Sequence, residues 1–263
     1  MGSATRESLS VATAALVSRG SVDFATGEQL LSAALVVDGS TALRAALADD
    51  TAAIADRVSI VKAVFGRYTA DAEAVLESLA SGRWSSEDDF VAAIERLGIR
   101  ALAASAPKTV SINDELFTFS NAVASDPELE LALGSRLGLV ANKVALIERL
   151  LGGKASTQTV AILSALVAQP RGRRITELVR YASTIVAEES GQAIATVTVA
   201  SPLAAAQIER LSKALSAQYG SSIRINQLVD PSILGGMRVQ VGDEVIDGSV
   251  ANRIADLRLR LAS

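Results

Sequence analysis

STALRAALADDTAAIADRVSIVKAVFG, residues 40–66, lies without a gap over DPELELALGSRLGLVANKVALIERLLG, residues 126–152. At a constant offset, Leu43 falls on Leu129, Leu47 on Leu133, Arg57 on Lys143, Val58 on Val144, Val61 on Ile147, Val64 on Leu150 and Gly66 on Gly152. Any two amphipathic helices share apolar spacing, but this match runs through a helix, its break, the next helix and a glycine stop. A one-residue shift continues it: AVLESLA from Ala74 lies over AILSALV from Ala161, and FVAAIERL from Phe90 sits near LVRYASTI from Leu178. The pattern predicts a tandem duplication of a helical module, joined through ASAPKTVSIND, residues 104–114.

Helical periodicity extends outward from this repeat over residues 5 to about 188. Leu9, Ala12 and Leu16 mark one stripe, Leu30, Leu31 and Ala34 a second, and Ile54, Val58, Val61 and Phe65 a third. Gly20, the Asp38-Gly39-Ser40 break and Gly66 serve as stops, while Ser85-Ser86 before Glu87 is a helix start. After Gly191 the period falls to two in AIATVTVA, residues 193–200. A helix then follows, with Ser201 expected at its N-cap, Pro202 at its first position and Gly220 past its end. SIRINQLV, MRVQV and EVI supply short strands, with turns at Asp230-Pro231, Gly242-Asp243 and Asp247-Gly248, and Ser249 is expected to cap a last helix bearing Ile254, Leu257 and Leu261. The expected fold is α+β, mainly α: tandem helical bundle modules over residues 1–105 and 106–191, then a small C-terminal α/β domain with a short sheet over residues 192–263.

Composition narrows the chemistry. The chain is 49% hydrophobic but only 3% aromatic, its apolar share carried by helix-forming Ala and Leu. A net charge of -4 offers no footprint for nucleic acid. Neither Cys nor His occurs, which removes Ser-His-Asp and Cys-His catalysis and nearly all zinc and haem ligation. No cofactor or metal is expected. The N-terminus reads neither as a signal peptide nor as a myristoylation site, and the uncharged run 190–208 alternates like a strand, so no direct membrane insertion is expected.

Individual motifs read as scaffold. GGKAS, residues 152–156, lacks the upstream Gly and the Ser/Thr after Lys154 that a phosphate loop needs, and a helix C-cap explains its glycines. RGRR, residues 171–174, reads as a solvated helix start, with a salt-bridged protein contact as its functional alternative. SSEDD complements a helix dipole. Ser249 has no His to activate it. Gly235-Gly236 fits a bulge, a close backbone approach or a ligand contact.

VTVASPLAAAQIERLSKAL, VDPSILGGMRVQVGDEVIDGSV and the amphipathic RIADLRLRL resemble the C-terminal domain of the δ subunit of bacterial F-type ATP synthase, the family of the oligomycin-sensitivity-conferring protein. Lys143–Leu151 and ILSALVAQPRGRRITELVRYA resemble the last helices of the family's N-terminal bundle. The usual member has one six-helix bundle, and the duplicated module is of the actinobacterial type. The resemblance implies a non-catalytic stator subunit, peripheral on the cytoplasmic face of the plasma membrane. Its bundle would take the N-terminal helix of an α subunit of the α/β catalytic head, and its C-terminal domain the C-terminus of the peripheral stalk b subunits. A first copy that keeps the family's groove would present Leu9, Ala12, Leu16, Val75, Leu76 and Leu79; stalk contact would involve Ile254, Leu257 and Leu261. Asp230, Pro231, Gly235, Gly236, Asp247, Gly248 and Ser249 would shape the stalk-binding domain. Two other classes remain open: a helical adaptor or regulatory protein with a small-ligand site near the double glycine, and a carboxylate enzyme using Asp230, Asp243, Glu244 or Asp247.

Overall fold

The structure, a computed structural model, describes residues 2–18, 20, 22–135, 138–231, 233, 235–241 and 244–248. These form two compact units, divided between Val186 and Ala187. The first contains α1 (Ser3–Val17), α2 (Phe24–Asp38), α3 (Thr41–Ala48), α4 (Ile54–Phe65), α5 (Ala70–Ser81), α6 (Glu87–Ala104), α7 (Ile112–Ser125), α8 (Pro127–Gly134), α9 (Val140–Leu151), α10 (Thr157–Ala168) and most of α11 (Ile175–Glu189). Helices α7 to α11 follow α2 to α6 at near-constant offsets. α8 and α9 begin and end 86 residues after α3 and α4, α10 follows α5 by 87, and α7 and α11 begin 88 after α2 and α6. The caps repeat as well: Thr69 and Ser156 each accept the N–H three residues on, and Gly66 and Gly152 each donate to the carbonyl four residues back.

Side-chain capping begins most of these helices, including Asp23 on α2, Ser40 on α3, Ser86 on α6, Ser111 on α7 and Asp126, followed by Pro127, on α8. The Thr26 hydroxyl and N–H hold the Asp23 carboxyl below its ordinary pKa. A depressed carboxylate pKa adds stability above the unfolded value that is lost as pH falls through the folded one. Asp23→Ala should therefore cost about 1 kcal/mol at neutral pH, and the difference from wild type should shrink below about pH 4. Urea titrations at pH 7 and pH 3 would check both parts.

Two apolar cores fill the helical unit. Ala12, Leu16, Leu30, Val61, Phe65, Leu76, Leu79, Ile94 and Leu97 belong to one; Leu116, Phe119, Ile147, Ile162, Leu166, Leu178 and Ile185 belong to the other. α2 and α6 form the wall between them. Leu30 and Val37 face the first core and Leu31 the second; Phe90, Ile94 and Leu97 face the first, Ile99 and Leu102 the second. α2 is accordingly apolar around much of its circumference, as a helix with cores on two sides must be. One predicted stripe needs correction: Ile54, at the first position of α4, is exposed, and the buried line there is Arg57, Val61, Phe65. No single helix among the described residues is long and apolar enough to cross a membrane; α2 and α3 qualify only as a pair, bent by 107°.

The second unit contains β1 (Gln192–Val199), α12 (Ala205–Tyr219), β2 (Ser222–Val229), β3 (Met237–Val241) and β4 (Glu244–Asp247). The sheet order is β2-β1-β3-β4, parallel between β1 and β2 and antiparallel elsewhere. Ala195, Val197 and Val199 share one face with Ile223 and Val239, against Leu211, Leu215 and Tyr219 of α12. One expectation is corrected. The helix starts at Ala205, not at Pro202, because the Leu203 N–H donates to Gln227 of β2 and the Ala204 N–H to Gln207. Asp247, the last residue of β4, pairs with Arg238 of β3, and the Gly248 N–H donates to the Met237 carbonyl.

Candidate functional site

In the first module, α1 lies on the α5–α6 connection through polar contacts. Thr5 Oγ1 donates to Asp89 at 2.9 Å and accepts from the Ser85 N–H, while Ser8 Oγ donates to the Arg83 carbonyl and accepts from its N–H, both at 2.8 Å. Of the six groove candidates, Ala12, Leu16, Val75, Leu76 and Leu79 are buried in the first core; Leu9 alone is half-exposed and packs on its edge. The structure brings all six together at the α1–α5 seam, but five as interior rather than surface.

In the second module, the α10–α11 connection carries RGRR, and two of its guanidiniums are half-buried and paired. Arg173 makes a two-pronged pair with Glu95 of α6, both bonds at 2.8 Å, with Glu95 buried. Arg173 also lies 4.9 Å over the Tyr181 ring. Burial opposes the Arg173 charge, but the hydrogen bonds and charge of Glu95 outweigh it and raise its pKa. Burial, and secondarily Glu95, pushes the Tyr181 hydroxyl well above its ordinary value. Arg171 donates to the Asp88 carbonyl. α6 thus presents Glu95 to the α10–α11 connection much as α1 presents Ser8 to the α5–α6 connection. It closes the first module and opens the second.

Beside this connection lies a cleft of about 890 Å³ between α8, α9 and the start of α11, lined by Leu131, Leu133, Val140, Lys143, Val167 and Leu178 among others. A second cleft, of about 740 Å³, lies between α2 and α9–α10. Neither is lined by Gly235 or Gly236. GGKAS is a helix stop and start: Gly152 is the C-cap of α9, Gly153 has φ of 72°, and Ser156 caps α10. The anion at that helix start is the chain's own Glu115, which accepts from the Ser156 N–H and hydroxyl and from the Thr159 hydroxyl.

In the second unit, Asp230 and Pro231 form a turn in which Ile233 N–H donates to the Asp230 carbonyl, and Asp230 N–H donates to Val199. Gly235 and Gly236 enter β3 with φ of 133° and 81°, backbone that a side chain would strain, which gives the double glycine a structural cause. Glu244 accepts from the Tyr219 hydroxyl at 2.9 Å. Asp243, Ser249, Ile254, Leu257 and Leu261 lie outside the described residues. No group of three or more potential metal-binding carboxylates occurs among the described residues.

Residues 99–261 match the ATP synthase delta (OSCP) subunit family. The chain belongs to that family. It is 54% identical over the whole of both chains to the ATP synthase subunit delta of Leifsonia xyli subsp. xyli, and 41% identical to that of Kineococcus radiotolerans over 90% of this chain and 87% of the relative. It is 42% identical to that of Acidothermus cellulolyticus over 90% of this chain and 88% of the relative. The delta-family match begins within α6 and takes in the second module and the second unit. α6 with α7 to α11 makes six helices, so the first module stands ahead of the matched region while lying within the full-length relatives.

Sequence reading missed the Glu95–Arg173 pair and the buried Lys143. Glu95 carries one signal, a carboxylate on the apolar face of α6 between Ile94 and Leu97; Lys143 carries another, its place opposite Arg57 in the repeat.

Proposed function

We propose that this chain is the stator subunit that joins the α/β catalytic head of ATP synthase to the peripheral stalk and opposes rotation of the head as the rotor turns. The observation that carries this reading is end-to-end identity of 54% with a protein named ATP synthase subunit delta. Separation into a helical unit and a small α/β unit supports a two-handed connector. The helical unit takes the N-terminal helix of an α subunit by helix-in-groove packing, and the α/β unit takes the C-terminus of b, with Ile254, Leu257 and Leu261 contributing. The protein does no chemistry of its own and is held at the cytoplasmic face of the membrane through the complex.

At the α1–α5 seam, Leu9 would touch the α helix, with Ala12, Leu16, Val75, Leu76 and Leu79 supporting it from beneath. Leu16→Asp would unfold α1 instead of probing this surface, so Leu9→Asp is the informative variant. The decisive experiment is calorimetric titration of the full chain into catalytic heads stripped of their own δ subunit. One-to-one binding near nanomolar Kd, about 12 kcal/mol, is expected; no heat and no co-migration would refute the reading. Unchanged affinity of a folded Leu9→Asp variant would move the α site off the first module.

A further inference from the structure

Beside α9 and α10 of the second module stands α2 of the first, and between them lies the cleft of about 740 Å³, a size typical of small-molecule sites. Its α2 wall belongs to the module ahead of the family-matched residues. The corresponding positions of the first module carry a cation, an anion and a ring. Lys62 of α4 pairs with Glu77 of α5 at 3.4 Å. Tyr68, directly before the Thr69 cap, packs against Phe65 with ring centroids 5.3 Å apart, and its hydroxyl donates to Ser32. At the same places the second module carries Glu148, Ser164 and, directly before the Ser156 cap, Ala155, and all three line the cleft. A carboxylate replaces the ammonium, a hydroxyl replaces its partner, and a methyl group replaces the phenol ring. The Ser164 hydroxyl oxygen is enclosed and without a hydrogen-bond partner, a condition few buried hydroxyls keep. The charged residues on the wall are Glu28 and Glu148, and no Lys or Arg among the described residues lines it. Phe24, Leu31, Leu35 and Val160 supply its apolar part.

We propose that this cleft binds a small organic cation, a protonated amine carried on an aromatic or apolar body. Its ammonium restores the cation that Glu148 has replaced, pairing with that carboxylate in the negative field of Glu28. The Ser164 hydroxyl, turned about χ1, accepts a hydrogen bond from it. Its body lies on Phe24, Leu31, Leu35 and Val160, and the room left by Ala155 admits a ring. Two carboxylates on the wall repel an anion of the same shape. Bound there, the ligand touches α2 of one module and α9 and α10 of the other. The site stands apart from the stator reading, because its chemistry comes from these walls alone.

Methyl NMR of the full chain at low salt tests this with 4-phenylbutylamine, 4-phenylbutanol and 4-phenylbutyrate, which share a body and differ in charge. Saturable shifts at the methyls of Leu31, Leu35 and Val160 are expected, with the amine bound at least about fivefold more tightly than the alcohol and the acid weakest. Glu148→Gln, a change at an exposed side chain, should bring the preference for amine over alcohol below about twofold. Ala155→Tyr returns a ring to the cleft and should weaken amine and alcohol alike by at least about tenfold. Absence of saturable shifts at these methyls, equal affinity for amine and alcohol, or an amine preference untouched by Glu148→Gln would each overturn the site. Undiminished binding to a folded Ala155→Tyr variant would overturn it as well, by placing the ligand elsewhere.

Discussion

Glu95→Ala is expected to lower the stability of the helical unit by about 3–5 kcal/mol, because it leaves a guanidinium largely enclosed without its counter-charge. Glu95 and Arg173 stand 78 residues apart and form two parallel bonds of 2.8 Å, with the Glu95 side chain 4% and the Arg173 side chain 24% exposed. A surface ion pair of this type contributes about 0–1 kcal/mol. Burial of the carboxylate puts this one in a different regime, in which the penalty comes from the charge left behind. Arg173→Ala should cost a similar amount, with loss of the contact to Tyr181 as well. The double alanine variant should cost clearly less than the two single variants summed. Glu95→Leu combined with Arg173→Met, which keeps volume and removes both charges, should recover most of the loss. Urea unfolding followed by circular dichroism would measure all four. Additive single and double effects would show that the pair is not coupled.

This pair also marks the boundary of what sequence could disclose. The repeat was legible because copies of one module carry the same caps and stops at a near-constant offset: Gly66 and Gly152, Thr69 and Ser156, Ser40 and Asp126. Those are local interactions within three or four residues, which local sequence records. Strand positions in the second unit were legible for the same reason, through period-two alternation. What failed was tertiary. RGRR read as a solvated helix start because the partners of Arg171 and Arg173 lie on α6, some eighty residues earlier. The α12 start slipped from Ser201 because a side chain of β2, Gln227, captures the Leu203 N–H. Of the six groove candidates only Leu9 escapes burial, since apolar spacing says which residues share a face and not whether that face meets solvent or a neighbouring helix.

The crossing of α2 and α6 yields the second large effect. Gly27 and Gly98 sit at reciprocal positions, each pressed against a leucine of the opposite helix. A Cβ on Gly27 would stand 2.6 Å from Leu102 Cγ and 2.8 Å from the Leu102 backbone nitrogen; one on Gly98 would stand 2.8 Å from Leu31 Cγ and 3.0 Å from the Leu31 nitrogen. Mid-helix glycine is otherwise unfavourable by about 1 kcal/mol relative to alanine, so its presence at both positions trades helix propensity for close approach. Gly27→Ala gains that propensity but meets backbone, which cannot rotate away, so the helices must separate along a seam that borders both cores. Gly27→Val, with a larger side chain and no propensity gain of that size, should destabilise by about 3 kcal/mol, and Gly98→Val by a comparable amount. Leu102→Ala should rescue Gly27→Val only in part, because it removes the side-chain clash and leaves the nitrogen in place. Complete rescue would place the conflict in the leucine side chain alone. Because Leu31, Ile99 and Leu102 face the second core while Leu30, Ile94 and Leu97 face the first, parting α2 from α6 loosens both modules at once. The valine variants should therefore lower the hydrogen-exchange protection of α4 and α9 together, and protection lost in only one of these helices would mean that the two modules respond independently.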